Sequence, residues 1–464
     1  MDKTMPEYYG YVIGQNIAPF VNKCIEAASL CHISEGTHIV GRNDKNFWTG
    51  NVYTDNIILW GWTAIKDGVQ IIGAGAGKTI LKFADNVQSR YLFNQDADYV
   101  MMLQTNYNVS CNNTVIQGIT WDGNYANNSM SSTINCIRIR GENTTVKDCE
   151  FINFGVGNAQ KFECYELTLN PINLAGKGPT ITNCLFRQPG RKSFSNAGFV
   201  PEHTLIAAGG TNVLVDSNNF TDWDFNVNTQ QSPLHAITLS NTTNALVNNN
   251  KFRNYQGACV YMDTARCDGT LITNNDCRNV WLFTQLTSQY YADTTQISLF
   301  TNISAYNNYV ELSDGLSFYE WDKPGASTAF VGYVFDPNID RTKFKGFINN
   351  VFKNNTVVLG NYTDNNGKKK YSDKLVCYWG NPVDSTGISV ETNKFLVNLD
   401  KVILPDPVVV TKPIDTTAIQ TALTDLQTIV NQTIQSTTST LASLSSAINT
   451  KVTSVASSVN ALKQ

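Results

Sequence analysis

Three carboxylates stand out among the residues whose chemistry could be put to use: Glu202, Asp224 and Asp263. Glu202 precedes His203, and Asp224 closes Asp222-Trp223-Asp224. Two carboxylates on one surface suffice for acid/base work on a glycosidic bond, one giving a proton while the other activates water or attacks carbon. Groups suited to holding a sugar accompany them. Trp223 and Tyr261 could stack on the ring, and Arg138 and Arg140 could donate charged hydrogen bonds. Trp321, in Tyr319-Glu320-Trp321-Asp322, falls in a long insertion, where recognition loops are commonly placed. Each has a plainer reading: acids cap turns, His203 and His235 read as hydrogen-bonded structural residues, and Trp281, Trp321 and Trp379 also read as packing residues.

Local alternation decides which way these side chains face. In Cys259-Val260-Tyr261-Met262-Asp263 an inward Val260 and Met262 turn Tyr261 and Asp263 outward. Arg138 and Arg140 likewise point away from Ile137 and Ile139.

The elements behind this alternation repeat. Val247-Asn248-Asn249-Asn250-Lys251-Phe252-Arg253-Asn254 is rich in Asn, which both helices and strands disfavour, yet its pattern recurs. An apolar residue, then Asn, an aromatic and a polar residue return as Val146/Cys149/Phe151/Asn153, Ile181/Cys184/Phe186/Gln188 and Val215/Asn218/Phe220/Asp222. Further copies are Val247/Asn250/Phe252/Asn254, Ile272/Asn275/Cys277/Asn279 and Ser304/Asn307/Tyr309/Glu311. Phe347/Asn350/Phe352/Asn354 and Val390/Asn393/Phe395/Val397 complete the series. One motif at a loosely variable period implies one structural unit per repeat, with insertions in loops. Stacked Asn side chains can form an amide ladder at a sharp bend, with the aromatic two residues on pointing inward.

These repeats resemble the right-handed parallel β-helix of the pectate-lyase-like superfamily, which carries an Asn ladder at the tight turn between two of its three sheets. The N-terminal half resembles its entrance. A helical apolar spacing over Ile17–Ala28 precedes His32-Ile33-Ser34-Glu35-Gly36-Thr37-His38-Ile39-Val40, with Ser34 and His38 where that superfamily usually has Pro and Tyr. Val69–Leu81 is similar to its first rung. The resemblance implies an all-β three-sheet solenoid with an N-terminal capping helix. The expected division is 1–48 for cap and entrance, 49–404 for the β-helix with inserted loops, and 405–464 for a linker and C-terminal oligomerisation helix.

The GAGAGKT within Val69–Leu81 is not a phosphate loop. Counting back from Gly77-Lys78, the first glycine of that motif would stand where Ile72 does. Charged residues make up 16% of the 464 and the net charge is −4, which argues against nucleic-acid binding. No apolar run approaches the roughly 18 residues that insert in a membrane, and MDKTMPEYYG does not read as a signal peptide. The 11 Cys contain no CxxC pair and read as buried thiols, so neither a metal nor a cofactor is expected.

Beyond Pro405, Pro407 and Pro413, apolar residues follow a helical spacing from Ile419 through Leu426, Ile434, Leu441, Ile448 and Val455 to Leu462, with Thr437 in one gap. So long an apolar stripe needs partners, which predicts an α-helical coiled coil. The resemblance to elongated spikes implies a homotrimer.

The resemblance extends to viral tailspikes and tail fibres. It implies a virion-associated protein assembled in a host cytoplasm, bound to other virion or tail proteins and to host glycan. A polysaccharide depolymerase, either hydrolase or lyase, and a purely structural fibre or surface adhesin are the alternatives. The Asn-Thr-Asp, Asp-Asp and Gly-His-Gly motifs of the polygalacturonase-type hydrolases are absent, and Arg341-Thr342-Lys343 stands without them. That favours binding and leaves activity open.

Overall fold

A computed structural model describes residues 2–43, 61–87, 99–128, 133–156, 164–187, 203–221, 234–288, 298–363 and 369–397, apart from short gaps within these ranges. Beyond them it describes only Asn449, Lys451 and Val452, which are helical, so the expected coiled coil over 405–464 lies outside the described residues. Asp400–Gln464 separates from Met1–Leu399 as a unit of its own.

Met1–Leu399 is a parallel β-solenoid. Each turn makes three short strands, and each strand pairs with its counterpart one turn on. The first sheet contains ten parallel strands, from Leu30–Ile33 to Val351–Lys353. The second and third stacks join because Lys251–Asp268 and Asp276–Ser288 bend from one into the other. Ile71, Ile116, Val146, Ile181, Val215, Val247, Ile272, Ala305 and Phe352 form one column through the first sheet. All are fully buried.

Three of the four amides of the recurrent Asn-rich segment answer a backbone requirement. Asn249 takes the left-handed conformation, φ 53°, that turns the chain out of the first sheet. Asn tolerates that region better than other non-glycine residues. Asn250 is the ladder: its Nδ2 donates to Asn275 Oδ1 at 3.0 Å and to the Val215 carbonyl at 3.0 Å. Its Oδ1 accepts from the backbone and the side-chain nitrogens of Asn218. Asn254 is left-handed again, φ 53°, at the end of the second stack. The ladder runs from Asn218 through Asn250, Asn275, Asn308 and Asn355 to Asn393, with amide–amide distances of 2.8–3.0 Å.

Two of the aligned copies need correction. Asn308, not Asn307, carries the ladder, and Val310, not Tyr309, points inward behind it. Asn307 is the left-handed residue. Asn350 sits at the other corner, where it accepts from the Ile303 backbone, and the ladder residue of that turn is Asn355. Alignment on an aromatic misled in both cases, because Val310 and Val357 fill the inward place where an aromatic was expected. From the Trp121 turn to the Phe252 turn the stack is aromatic: Trp121, Phe151, Phe186, Phe220 and Phe252 follow one another with centroids 4.7–6.5 Å apart, while Trp62, from a third-stack strand, packs on Trp121 at 5.8 Å.

Cys149 and Cys184 occupy the ladder position in two turns. Each thiol points to first-sheet carbonyls, Lys147 at 3.3 Å for Cys149 and Thr182 at 3.3 Å for Cys184. Burial pushes the Cys184 thiol well above its usual range. The nine cysteines whose side chains are described are buried and form no disulfide.

The entrance is capped by a helix, Ala18–Ala28, which buries Ala18, Val21, Cys24 and Ile25 over the open end. His38 is fully buried there. Its Nε2 donates to the Ser34 carbonyl at 2.9 Å, leaving Nδ1 to accept from the Tyr11 hydroxyl at 2.8 Å. Burial pushes Tyr11 up to about 12. In Gly73–Thr79 the Ala74 and Gly77 N–H groups are taken by the Thr79 and Thr120 hydroxyls, both at 2.8 Å, so they do not form a phosphate cradle.

Candidate functional site

Most of the candidates lie on the third stack, whose strands share an irregularity. Each turns two consecutive residues into the core: Cys136-Ile137, Leu205-Ile206, Ala236-Ile237 and Cys259-Val260. Beyond that pair, plain alternation resumes. It sends Arg138 and Arg140, Thr168 and Asn170, Thr238 and Ser240, and Tyr261 and Asp263 to the outer face. Glu166 takes the first inward place in its own strand, opposite Leu205, and is fully buried.

The register aligns these residues in columns. Arg138 pairs with Thr168, Thr168 with Ala207, Ala207 with Thr238 and Thr238 with Tyr261. Arg140 pairs with Asn170, and Ser240 with Asp263. Rungs of a parallel stack lie about 4.8 Å apart, so Arg138 and Tyr261, four rungs from each other, do not meet.

A cleft of about 280 Å³ opens at the Arg138 end. Arg138, Arg140, Thr168 and Asn170 form one side, Pro171, Ile172 and Leu174 the rim, and Ser240 and Asn241 the far end. Ile172 and Leu174 are 48% and 42% exposed, high for aliphatic side chains. Asn170 folds down over Gly209. A Cβ on Gly209 would lie 2.7 Å from Asn170 Oδ1 and 2.7 Å from the Ser240 carbonyl oxygen, so only glycine admits this contact. Asn170 Oδ1 is buried and has no hydrogen-bond partner. An orphaned acceptor of this kind costs about 1–3 kcal/mol until a donor reaches it.

Asp263 is 9% exposed and accepts a short hydrogen bond from the Ser240 hydroxyl, which ties it to the far end of the cleft. Tyr261, expected to present its ring to a sugar, is 3% exposed. Its ring lies parallel to His235 at 3.7 Å and packs with Ala258 and Leu282 against Trp281. An outward side chain is available to a ligand only where nothing covers it, and here the ring face is occupied. Burial drives the His235 imidazole down to about 3, so it is neutral and structural.

Glu202, Trp223, Asp224 and Trp321 lie outside the described residues. The structure therefore brings Arg138 and Arg140 together at the cleft, whereas Asp263 lies four rungs from Arg140 and only hydrogen-bonds Ser240 at the far end. The sequence reading missed Asn170, Ile172 and Leu174. The only signal, and that for Asn170 alone, was Gly209-Gly210 within a strand-like run, since an interior strand glycine marks a close approach. Among the described residues no group of three or more His, Cys, Asp or Glu could hold a metal, and no helix is long and apolar enough to cross a membrane.

No family model and no curated protein matches the chain. Solved structures do. The A-module of the mannuronan C-5 epimerase AlgE4 of Azotobacter vinelandii is 14% identical, with 85% of this chain and 97% of that one covered and a TM-score of 0.38. The Dettilon tailspike protein is 12% identical over 85% of this chain and 68% of its own, TM-score 0.39. An exopolygalacturonase from Thermotoga maritima is 11% identical over 81% and 91%, TM-score 0.43. Shared architecture at such identities does not select an activity.

Proposed function

We propose that the chain is a virion-associated spike or tail-fibre subunit that binds host cell-surface polysaccharide on the outer face of its third stack. The observation that carries the binding role is the cleft beside Arg138. It combines guanidinium donors, amide and hydroxyl groups and an exposed aliphatic rim, the mixture that a pyranose needs for its hydroxyls and its C–H face. The rigid solenoid supplies the geometry, since Arg138, Thr168 and Asn170 are held by strand register. Self-association rests on the helical spacing of apolar residues beyond Ile419, interrupted at Thr437, and the number three on the resemblance to elongated spikes. Such a subunit would meet its virion or tail partners through the entrance cap or the C-terminal helices.

Two measurements test this reading. Light scattering on the full chain and on a chain ending at Leu404 gives a threefold mass that falls to one on truncation; a monomer in both removes the fibre. A screen against surface polysaccharides then detects binding that does not shorten the polymer. Depolymerisation lost in Asp263→Asn would replace the binding role by the enzymatic one.

A further inference from the structure

We infer that copies of this chain meet along the first sheet, with Leu214, Leu246 and Leu271 of one copy packed against the same leucines of the next in a parallel, rotationally symmetric assembly. The inference rests on the proposed self-association and names the solenoid surface that takes part in it.

From Val115 onward the first sheet is built of three-residue strands. The middle residue of each is buried and the two beside it face out, so the outer face has two columns. One column follows the corner where the chain enters the sheet. From the Val115 turn to the Val351 turn it holds two valines, two threonines, a serine and three consecutive leucines, and no charged residue. Leu214 pairs with Leu246 and Leu246 with Leu271, so the three stand over one another at a spacing of about 4.8 Å. Leu214 and Leu246 are half-buried, and Leu271 is 37% exposed. Parallel sheets are ordinarily covered on both faces, and a ladder of leucines gains nothing from water.

Two observations commit this column to a second copy. The first is its neutrality. A closed ring of identical chains has rotation without translation, so a residue at the axis meets itself at its own height. Leucine packs against leucine there, whereas a charge would face its own kind. The neighbouring outward column carries Lys147, Asp216 and Lys353. The second stack carries the ion pairs Arg187–Glu150 and Arg253–Asp276 on its outer face. Neither surface suits an axis. The second observation is the chain beyond the solenoid. Residues 405–464 carry the apolar helical stripe that gathers copies, and a ring points them all one way, which sets their leucines level. The column also lies beside a corner, and three rods share an axis more readily through an edge than through a flat face.

The experiment is cysteine crosslinking in the full chain, with light scattering on the same samples and thermal melting as a check on folding. Leu246→Cys places a thiol in the column. Lys251→Cys places one on the exposed second stack, and the wild type gives the background of its own thiols. Under a mild copper oxidant Leu246→Cys should form a disulfide-linked pair about tenfold or more faster than Lys251→Cys or wild type, because a neighbouring copy is held at an effective concentration near millimolar. The rate should not fall on dilution. Leu271→Cys should link by itself in the same way. Linkage of Leu271→Cys only when mixed with Leu214→Cys would mean antiparallel copies and overturn the rotational arrangement. A threefold mass with Leu246→Cys unlinked, or linked no faster than Lys251→Cys, would overturn this surface and leave the fibre reading standing. A monomeric full chain would overturn both.

Discussion

Arg138 and Tyr261 occupy one outward column of one sheet, yet one borders an open cleft and the other is shut away. At the Arg138 end the neighbours are polar or aliphatic and stand apart, with Gly209 leaving room for Asn170. At the Tyr261 end an imidazole, an alanine and a leucine close on the ring. Strand alternation is the same in both places. Strand geometry therefore decides which residues face outward, and only the local cover decides which of those can meet a ligand.

The sharpest way to break this comparison is Tyr261→Ala. If the ring is packing, the variant should lose about 3–5 kcal/mol of stability in urea unfolding while the affinity for glycan in the distant cleft is unchanged. A loss of affinity with stability intact would return Tyr261 to the ligand-binding set.

Acid should act on the closed end. The folded His235 stays neutral to about 3, whereas the unfolded one protonates near 6.5. The unfolded state thus binds the extra proton between these values, and stability falls as pH drops below 6.5. The contribution is roughly 3 kcal/mol by about pH 4. Measured against wild type over that range, His235→Phe should show a flatter dependence of unfolding free energy on pH. Parallel curves would mean that the imidazole is not sealed.

At the open end Gly209→Ala should cost about 1–3 kcal/mol, because its methyl must displace Asn170 or the Ser240 carbonyl. It should also weaken glycan binding by pushing Asn170 into the cleft. The smallest effect belongs to Thr168→Ala, which removes one hydroxyl from the cleft wall. Stability should stay within about 0.5 kcal/mol, as for most surface changes, with a modest fall in affinity.

The solenoid could be read from the sequence because its corners are chemically demanding. Asn249, Asn250 and Asn254 each meet a separate backbone requirement, so the residue type recurs wherever the requirement does. The register slipped by one at Asn307 because Asn307 and Asn308 are an Asn pair, one left-handed and one in the ladder, and by five at Asn350 because alignment on Phe352 picked the Asn of the other corner in place of Asn355. The outward directions of Arg138, Arg140, Tyr261 and Asp263 followed from period-2 alternation. The cover over Tyr261 and the orphaned oxygen of Asn170 did not, since both depend on strands distant in the chain. Ile172 and Leu174 carry no sequence signal at all, because apolar residues next to a proline read equally well as core.

The thiols at Cys149 and Cys184 set where this rod would part. From Asn218 onward each corner amide is tied to the next at 2.8–3.0 Å. In the two turns before it the same places hold sulfur atoms 3.3–3.9 Å from their carbonyls; the Cys184 backbone N–H still donates to Asn218 Oδ1 at 2.9 Å, so it is the step from Cys149 to Cys184 that lacks a corner amide. A stack whose turns touch only their neighbours yields at its weakest joint. Under tension along the axis, the turns up to Cys149, whose corners at Ile119 and Cys149 carry no amide side chain, would part before the amide-braced turns from Asn218 onward.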